Sequence, residues 1–432
     1  MRDTFEVKAV NGLQGEIFIP GDKSISHRSV MFSSLGDKAV TVKNFLNSQD
    51  CLSTVSCMEA LGVKIEKINE NELIVHGVGI DGLKEPENVL DAGNSGTTLR
   101  LLMGMLAPQN FFVTFTGDDS LRKRPMARVI KPLSQMGGKL VSRENSRLLP
   151  LAILPSENLN SIKYDMPMAS AQVKSAILLS GMYADGETVV TEPYTSRDHT
   201  EKMFETFGVE LYKKGTSVGI KKVEKMISPE VLEVPGDISS AAFWLVAASV
   251  IPNSELTLKN VGINETRTGI IDVLLAMGAD ITIINERMSG KEPVADIIVK
   301  SAKLQGTTFG AEIMPRLIDE IPIITVAAIF AEGKTIITGA EELRVKETDR
   351  LSAIVNEFIK MGANIVGTED GLIIEGTGKL DKAQCYSYHD HRIAMALAIA
   401  GAAANGVVIE NPDCVCISYP TFYETLEKIK SN

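Results

Sequence analysis

One junction recurs along this chain at nearly even spacing: the end of a helix, a glycine, then a short extended segment. It is found at Met58-Glu59-Ala60-Leu61-Gly62-Val63, Leu133-Ser134-Gln135-Met136-Gly137-Gly138 and Phe204-Glu205-Thr206-Phe207-Gly208-Val209. It returns at Leu274-Leu275-Ala276-Met277-Gly278-Ala279 and Phe358-Ile359-Lys360-Met361-Gly362-Ala363. The five glycines lie 75, 71, 70 and 84 residues apart. Glycine at that point stops a helix in a positive-φ conformation and lets the chain leave as an extended segment. A sixth helix, Thr421 to Ile429, falls about one period after Gly362. A chain built this regularly is expected to be a stack of copies of one supersecondary unit.

A second series runs in phase with the first. Strongly apolar helices rich in small residues are expected to begin near Lys23, Asn94, Ser170, Asp237, Asp319 and Asp390, each entered through a residue that caps helix starts. Short strands such as Glu72 to Val75, Leu256 to Leu258 and Leu372 to Ile374 lie between helices. The unit is therefore two helices and several strands, present six times. One helix of each pair is apolar almost all round and should be buried, while the other is amphipathic and should cover it. Buried helices enclosed by sheets and outer helices invert the usual α/β layering. With 432 residues, six units suggest two domains of three, and Glu233-Val234-Pro235-Gly236-Asp237 is the expected hinge.

Composition removes several function classes. A hydrophobic share of 44% with 23% charged residues is a normal soluble balance, and the longest apolar runs, Ala241 to Ile251 and Ile393 to Ala404, are about half of the ~20 residues a membrane span needs. Met1-Arg2-Asp3-Thr4-Phe5-Glu6 has no apolar signal region, so a cytoplasmic protein is expected. Cys51, Cys57, Cys385, Cys414 and Cys416 are odd in number and lack CxxC spacing, which suits free thiols in a reducing compartment. A net charge of −11 makes nucleic acid a poor partner, so an anionic ligand would need a local basic pocket.

The helix starts supply such pockets. A helix N-terminus carries roughly half a positive charge and several unpaired N–H donors, so it attracts phosphate and carboxylate. Gly21-Asp22-Lys23-Ser24-Ile25-Ser26-His27-Arg28 offers ammonium, hydroxyl and guanidinium within about a turn and a half, with His27 read as structural. Asp91-Ala92-Gly93-Asn94-Ser95-Gly96-Thr97-Thr98-Leu99-Arg100 has glycines that let backbone amides approach a ligand, without a Walker lysine. Leu121-Arg122-Lys123-Arg124-Pro125-Met126 sets three bases before a proline that suits a first helical turn. Ala169-Ser170-Ala171-Gln172-Val173-Lys174 and Ser196-Arg197-Asp198-His199 share one unit. Asp319 is expected to cap an apolar helix, Arg344-Val345-Lys346-Glu347-Thr348-Asp349-Arg350 to open an amphipathic one, and His389-Asp390-His391-Arg392 to open the last buried one. Each cluster alone could be an ordinary capped or salt-bridged helix start. Gly77-Val78-Gly79-Ile80-Asp81-Gly82 matches a dinucleotide fingerprint but leads into Leu83-Lys84-Glu85-Pro86, not a helix, and is set aside. His389 and His391 lack evident metal-ligand partners, so no metal is expected.

Together, Gly21 to Arg28, Gly93 to Thr97, Arg124-Pro125-Met126, Arg344 to Arg350 and Asp390-His391-Arg392 resemble the 5-enolpyruvylshikimate-3-phosphate synthase family of enolpyruvyl transferases, in order and over nearly the whole chain. The resemblance implies a two-domain inside-out α/β barrel of six βαβαββ repeats, three per domain. The expected division is 1–20 with 236–432 as the C-terminal lobe and 21–235 as the N-terminal lobe, with hinges near 20–21 and 233–237. It also implies the reaction: the carboxyvinyl group of phosphoenolpyruvate moves to the 5-hydroxyl of shikimate 3-phosphate through a tetrahedral intermediate, in aromatic amino-acid biosynthesis. No cofactor is expected, and a monomer is.

By the same resemblance, Lys23, Ser24, Arg28, Ser170, Ala171, Gln172, Arg197, Asp319 and Lys346 should hold shikimate 3-phosphate. Lys23, Asn94, Gly96, Arg124, Gln172, Arg350 and Arg392 should hold phosphoenolpyruvate. Lys23, Asp319, Lys346, Glu347 and His391 should be catalytic. The two substrates bring a charge of about −6, against which Lys23, Arg28, Arg100, Arg124, Arg197, Lys346, Arg350 and Arg392 set eight positive charges. Helix starts of both halves are expected to converge on one cavity when the lobes shut. One departure stands out: Ile417 precedes Ser418-Tyr419-Pro420 where many relatives have Lys. Two other readings stay open at this stage. A sister enzyme acting on UDP-N-acetylglucosamine would need a loop cysteine, and this chain has none between Cys57 and Cys385. A binding protein for phosphorylated metabolites would need no carboxylate such as Glu347 beside Lys346.

Overall fold

The six apolar helices are the centre of the architecture. In the computed structural model, which describes residues 2–431, they run over Lys23–Leu35, Gly96–Leu106, Ala171–Gly181, Ile238–Val250, Ile321–Phe330 and His391–Ala403. Nearly every residue in them is buried, polar ones included. The six partner helices, Gln49–Ala60, Ala127–Gln135, His199–Thr206, Gly269–Ala276, Arg350–Lys360 and Phe422–Ile429, each bury one face and expose the other. The junction glycines hold the expected backbone: φ is +90° at Gly62, +100° at Gly137, +75° at Gly208, +88° at Gly278 and +82° at Gly362.

Among the described residues there are six small sheets, five of four strands and one of three. Four of them share one plan, in which a strand lying before the buried helix pairs in parallel with the strand after it, and an antiparallel pairing follows. Leu90–Asp91 pairs in parallel with Val113–Thr116, which pairs antiparallel with Leu148–Leu154, and that strand with Lys139–Ser142. Thr308–Phe309, Gly333–Ile337, Leu372–Gly376 and Asn364–Gly367 repeat the arrangement.

Two exchanges of strands break the strict order. Gln14–Phe18 precedes the first buried helix, yet it pairs in parallel with Glu255–Gly262 of the fourth repeat. Val231–Glu233 precedes the fourth buried helix, yet it pairs in parallel with Ala39–Lys43 of the first. The sixth sheet is completed from the other end of the chain, where Thr4–Val7 pairs antiparallel with Val407–Glu410.

The chain divides into two compact units, one of Met1–Asp22, Pro235–Met288 and Pro293–Asn432, the other of Lys23–Val234 and Ser289–Glu292. Each has its own apolar core. In the first, Trp244 is fully buried, stacks on Phe422 with ring centroids 5.0 Å apart, and donates its indole N–H to the Tyr419 hydroxyl at 3.0 Å. In the second, helices Gly96–Leu106 and Ala171–Gly181 approach so closely that a Cβ on Gly104 would lie 2.4 Å from the Ala176 carbonyl oxygen. Only glycine permits that contact, and Ser180 Oγ seals it by donating to Gly104 O at 2.6 Å. No helix among the described residues is long and apolar enough to cross a membrane.

Two local expectations need correction. Asp319 does not cap the helix Ile321–Phe330: it lies in a 3-10 turn, Ile318–Glu320, and Glu320 takes the position before the helix. The Asp319 carboxylate is engaged by cations instead. Pro125 does not lie in a first helical turn either, since the helix starts at Ala127. A residue before proline is driven out of the α region, and Arg124 is extended at φ −78°, ψ 138°.

Candidate active site

In the unit built around Lys23–Val234, three buried helices present their starts with their polar side chains tied together. Lys23 opens the first and donates Nζ to Asp50 Oδ2 at 3.1 Å, on the neighbouring outer helix. Ser24 follows, half-buried, and its carbonyl accepts from Arg28 Nη1 at 2.9 Å. Arg28, only 3% exposed, also donates Nε to Thr200 Oγ1 at 2.7 Å and Nη2 to Ser175 Oγ at 2.9 Å. His27 is fully buried with Nδ1 2.6 Å from Thr54 Oγ1, a structural placement.

The second start is organised by the extended backbone at Arg124. Its Nη2 donates to Asn94 Oδ1 at 2.9 Å and to Ser120 Oγ at 3.1 Å, and its Nη1 to Asn94 O at 3.3 Å. Asn94 Nδ2 donates to Asp118 Oδ2 at 2.6 Å. Ser95 caps the helix by accepting from Thr98 N at 3.1 Å. Gly96 sits between two guanidinium groups: a Cβ there would lie 3.0 Å from Arg100 Nη1 and 3.5 Å from Arg124 Nη1.

The third start is joined to the second through Gln172, whose Oε1 accepts from Arg100 Nη1 at 2.6 Å and whose Nε2 donates to Thr97 Oγ1 at 3.1 Å. Ser170 stands at the cap position, 8% exposed, without a capping bond from its side chain, and Ala171 is the first helical residue. Arg197 lies half-buried in the loop before His199–Thr206. That loop is anchored from beneath. Lys174, 2% exposed, pairs with Glu192 at 2.8 Å and Glu201 at 2.7 Å, while Glu192 Oε2 accepts from Ser196 N at 3.2 Å. Burial would lower the Lys174 pKa, but the two carboxylates outweigh it and raise it, so the ammonium stays charged.

The other unit gathers carboxylates around one guanidinium. Arg350, 1% exposed, opens the outer helix Arg350–Lys360. Its Nε donates to Asp390 Oδ2 at 2.7 Å, Nη1 lies 3.3 Å from Asp319 Oδ1, and Nη2 lies 2.6 Å from Glu347 Oε2. Lys346 Nζ stands 3.5 Å from the same Asp319 oxygen. Burial would lower the Arg350 pKa, but Asp390, Glu347 and Asp319 more than offset it. The run Arg344 to Arg350 thus divides its work. Arg344 is structural, bonding Asp349 Oδ2 at 2.9 Å and the Thr368 and Glu369 carbonyls at 2.7 and 2.9 Å. Lys346 and Arg350 face Asp319, and Glu347 pairs with Arg350.

Asp390 is the pivot of this half. It caps the last buried helix by accepting from Arg392 N at 2.8 Å while its carboxylate holds Arg350. Arg392 Nη1 donates to Asp319 O at 3.1 Å and lies 3.5 Å from Glu320 Oε1. His391, the first helical residue, is 1% exposed. Ile417 ends a 3-10 turn at 9% exposure.

The structure therefore brings Lys23, Ser24 and Arg28 into one cluster, Asn94, Gly96, Arg100, Arg124 and Gln172 into a second, and Asp319, Lys346, Glu347, Arg350 and Arg392 into a third. It adds Asp50, Asp118, Glu320 and the structural role of Asp390, which the motif reading did not single out. It also tightens the charge balance, because Lys23, Lys346 and Arg350 already face Asp50, Asp319, Glu347 and Asp390. Among the described residues no group of three His, Cys, Asp or Glu side chains is placed to hold a metal ion.

Known proteins similar in sequence and fold give the clusters a context. The profile of the family described as EPSP synthase (3-phosphoshikimate 1-carboxyvinyltransferase) matches residues 7–426. The 3-phosphoshikimate 1-carboxyvinyltransferase of Thermoanaerobacter pseudethanolicus is 53% identical over 425 residues, 98% of this chain and 99% of the relative. That of Petrotoga mobilis is 52% identical over 428 residues, 99% of each. A solved EPSP synthase from Acinetobacter baumannii superposes with a TM-score of 0.88 at 43% identity, covering 99% of this chain and 98% of that one. Repeat plan, clustered helix starts and full-length likeness agree, and the chain belongs to the EPSP synthase family.

Proposed function

We propose that this chain carries out the reaction of its family, transfer of the carboxyvinyl group of phosphoenolpyruvate to the 5-hydroxyl of shikimate 3-phosphate with release of phosphate, and that its residues divide the work as follows. Lys23, Ser24, Arg28, Ser170, Ala171, Gln172, Arg197, Asp319 and Lys346 hold shikimate 3-phosphate. Lys23, Asn94, Gly96, Arg124, Gln172, Arg350 and Arg392 hold phosphoenolpyruvate. Every assigned group belongs to the one chain.

The chemistry is addition followed by elimination. The acceptor hydroxyl loses its proton as its oxygen bonds to C2 of phosphoenolpyruvate, while the methylene gains a proton and becomes a methyl group. In the second step the C2–O bond to phosphate breaks, phosphate leaves, and the methyl group returns its proton. Groups that give and take protons in both directions are required. Asp319 serves the hydroxyl, Glu347 and Lys346 serve the methylene and the leaving phosphate, and Lys23 and His391 support charge and proton movement at the helix starts.

One observation carries this reading: Asp319 and Glu347 share the buried Arg350 guanidinium, with Lys346 beside Asp319. A protein that merely bound two anions would gain nothing by placing two carboxylates among its cations, since each repels the ligand. The decisive assay measures phosphate release from phosphoenolpyruvate in EDTA, with shikimate 3-phosphate or UDP-N-acetylglucosamine as acceptor. Release with shikimate 3-phosphate alone is expected. Release with the nucleotide sugar, or with neither acceptor, overturns the assignment.

A further inference from the structure

Arg267 belongs to none of the helix-start clusters, yet it is 3% exposed and both of its Nη atoms are bonded. Its Nη1 donates to Asp22 Oδ2 at 2.9 Å, and its Nη2 to Asp237 Oδ1 at 3.0 Å and Ser239 Oγ at 2.8 Å. Asp22 and Asp237 lie on the two segments by which the chain leaves this unit and re-enters it. The segments are also laced through the backbone: Asp22 N donates to Pro235 O at 2.7 Å and Asp237 N to Pro20 O at 2.9 Å. Arg267 therefore clamps both passages with a rigid fork.

The clamp has an extension toward the candidate site. The Ser239 hydroxyl, held by Arg267, donates to Glu320 Oε1, and Glu320 is fully buried. That same oxygen lies 3.5 Å from Arg392 Nη1. The other oxygen, Oε2, has no hydrogen-bond partner among the described residues. A buried carboxylate so thinly satisfied takes whatever donor it can reach. The Ser239 bond keeps part of its demand away from Arg392, leaving that guanidinium to point elsewhere.

We propose that Ser239, fixed by Arg267, is a positioning residue that restrains Glu320 and thereby keeps Arg392 directed at phosphoenolpyruvate. The proposal rests on the assignment of Arg392 to phosphoenolpyruvate, so the test has to separate the two. Without the Ser239 hydroxyl, Glu320 satisfies itself by drawing Arg392 in, and the substrate loses a cation without any loss of fold.

Steady-state kinetics on the full chain test this with Ser239→Ala, Ser239→Thr, Arg392→Ala and the Ser239→Ala/Arg392→Ala double variant. Ser239→Ala should raise KM for phosphoenolpyruvate about tenfold, the loss of one hydrogen bond to a charged group. KM for shikimate 3-phosphate and the thermal midpoint should stay close to wild type, and Ser239→Thr, which restores a hydroxyl, should recover most of the loss. Arg392→Ala should raise the same KM further, with little added by the second substitution, because both act through one guanidinium. Unchanged KM in Ser239→Ala beside raised KM in Arg392→Ala overturns the relay alone. Unchanged KM in Arg392→Ala overturns the assignment of Arg392, and the relay with it. Equal rises in both KM values with a lowered thermal midpoint mark a merely structural serine and also overturn the proposal.

Discussion

Asp319 and Glu347 differ from the cations around them in what an amide can replace. Glu347→Gln and Asp319→Asn keep volume and one acceptor oxygen but remove the charge and the ability to exchange a proton. Arg350 would still hold Asp390 at 2.7 Å, so the framework of this half should survive either change. Each variant is expected to bind both substrates within a few-fold of wild type and to turn over about 10²-fold more slowly. Substrate titration and single-turnover phosphate release check both halves of that statement, and near-normal turnover in the two variants would sink the acid–base assignment. The residues that carry this prediction are local in sequence, lying in runs such as Lys346-Glu347 that a motif reading can pick out. Asp50 is not. It pairs with Lys23 from 27 positions away, and it sits in the first turn of an outer helix, where an acidic residue is ordinary. Arg267 and Glu320 escaped for a similar reason: only the folded arrangement of distant segments makes them neighbours.

At the scale of elements, the legible features were those with a chemical signature at a boundary. Asp237, Asp390 and Ser95 each cap a buried helix with their own side chain, and all three starts can be read from sequence. The Asp319 start misled because an extra 3-10 turn intervenes and leaves Glu320 nearest the helix. Arg124-Pro125 misled because the proline acts on the residue before it rather than on the helix after it. The junction glycines offer a clean test. Around Gly137, at φ +100°, a Cβ would come no nearer than 3.7 Å to any atom, so Gly137→Ala would meet backbone strain alone. It should destabilise the protein by about 1 kcal/mol, lowering the thermal midpoint by roughly 2–4 °C with activity unchanged. A midpoint equal to wild type would show that the repeat glycines are not needed for their backbone conformation.

The molecule as a whole is acidic, at −11, while its helix-start clusters gather lysines and arginines. Attraction of substrate anions against that background should be sensitive to ionic strength, since the screening length falls from about 10 Å at 0.1 M salt to about 3 Å at 1 M. KM for both substrates is expected to rise several-fold between about 0.05 and 0.5 M potassium chloride, with a smaller change in kcat. A flat KM over that range would mean that long-range charge contributes little.

The exchanged strands also set an order of events for a polypeptide that emerges from its N-terminus forward. Thr4–Val7 and Gln14–Phe18 are made long before their partners, Val407–Glu410 and Glu255–Gly262, which come hundreds of residues later. The repeats between Lys23 and Val234, by contrast, form one compact unit with only Ser289–Glu292 added from later in the chain. The two early strands must therefore await partners translated long after them, and the sixth sheet is stitched by strands far apart in the sequence.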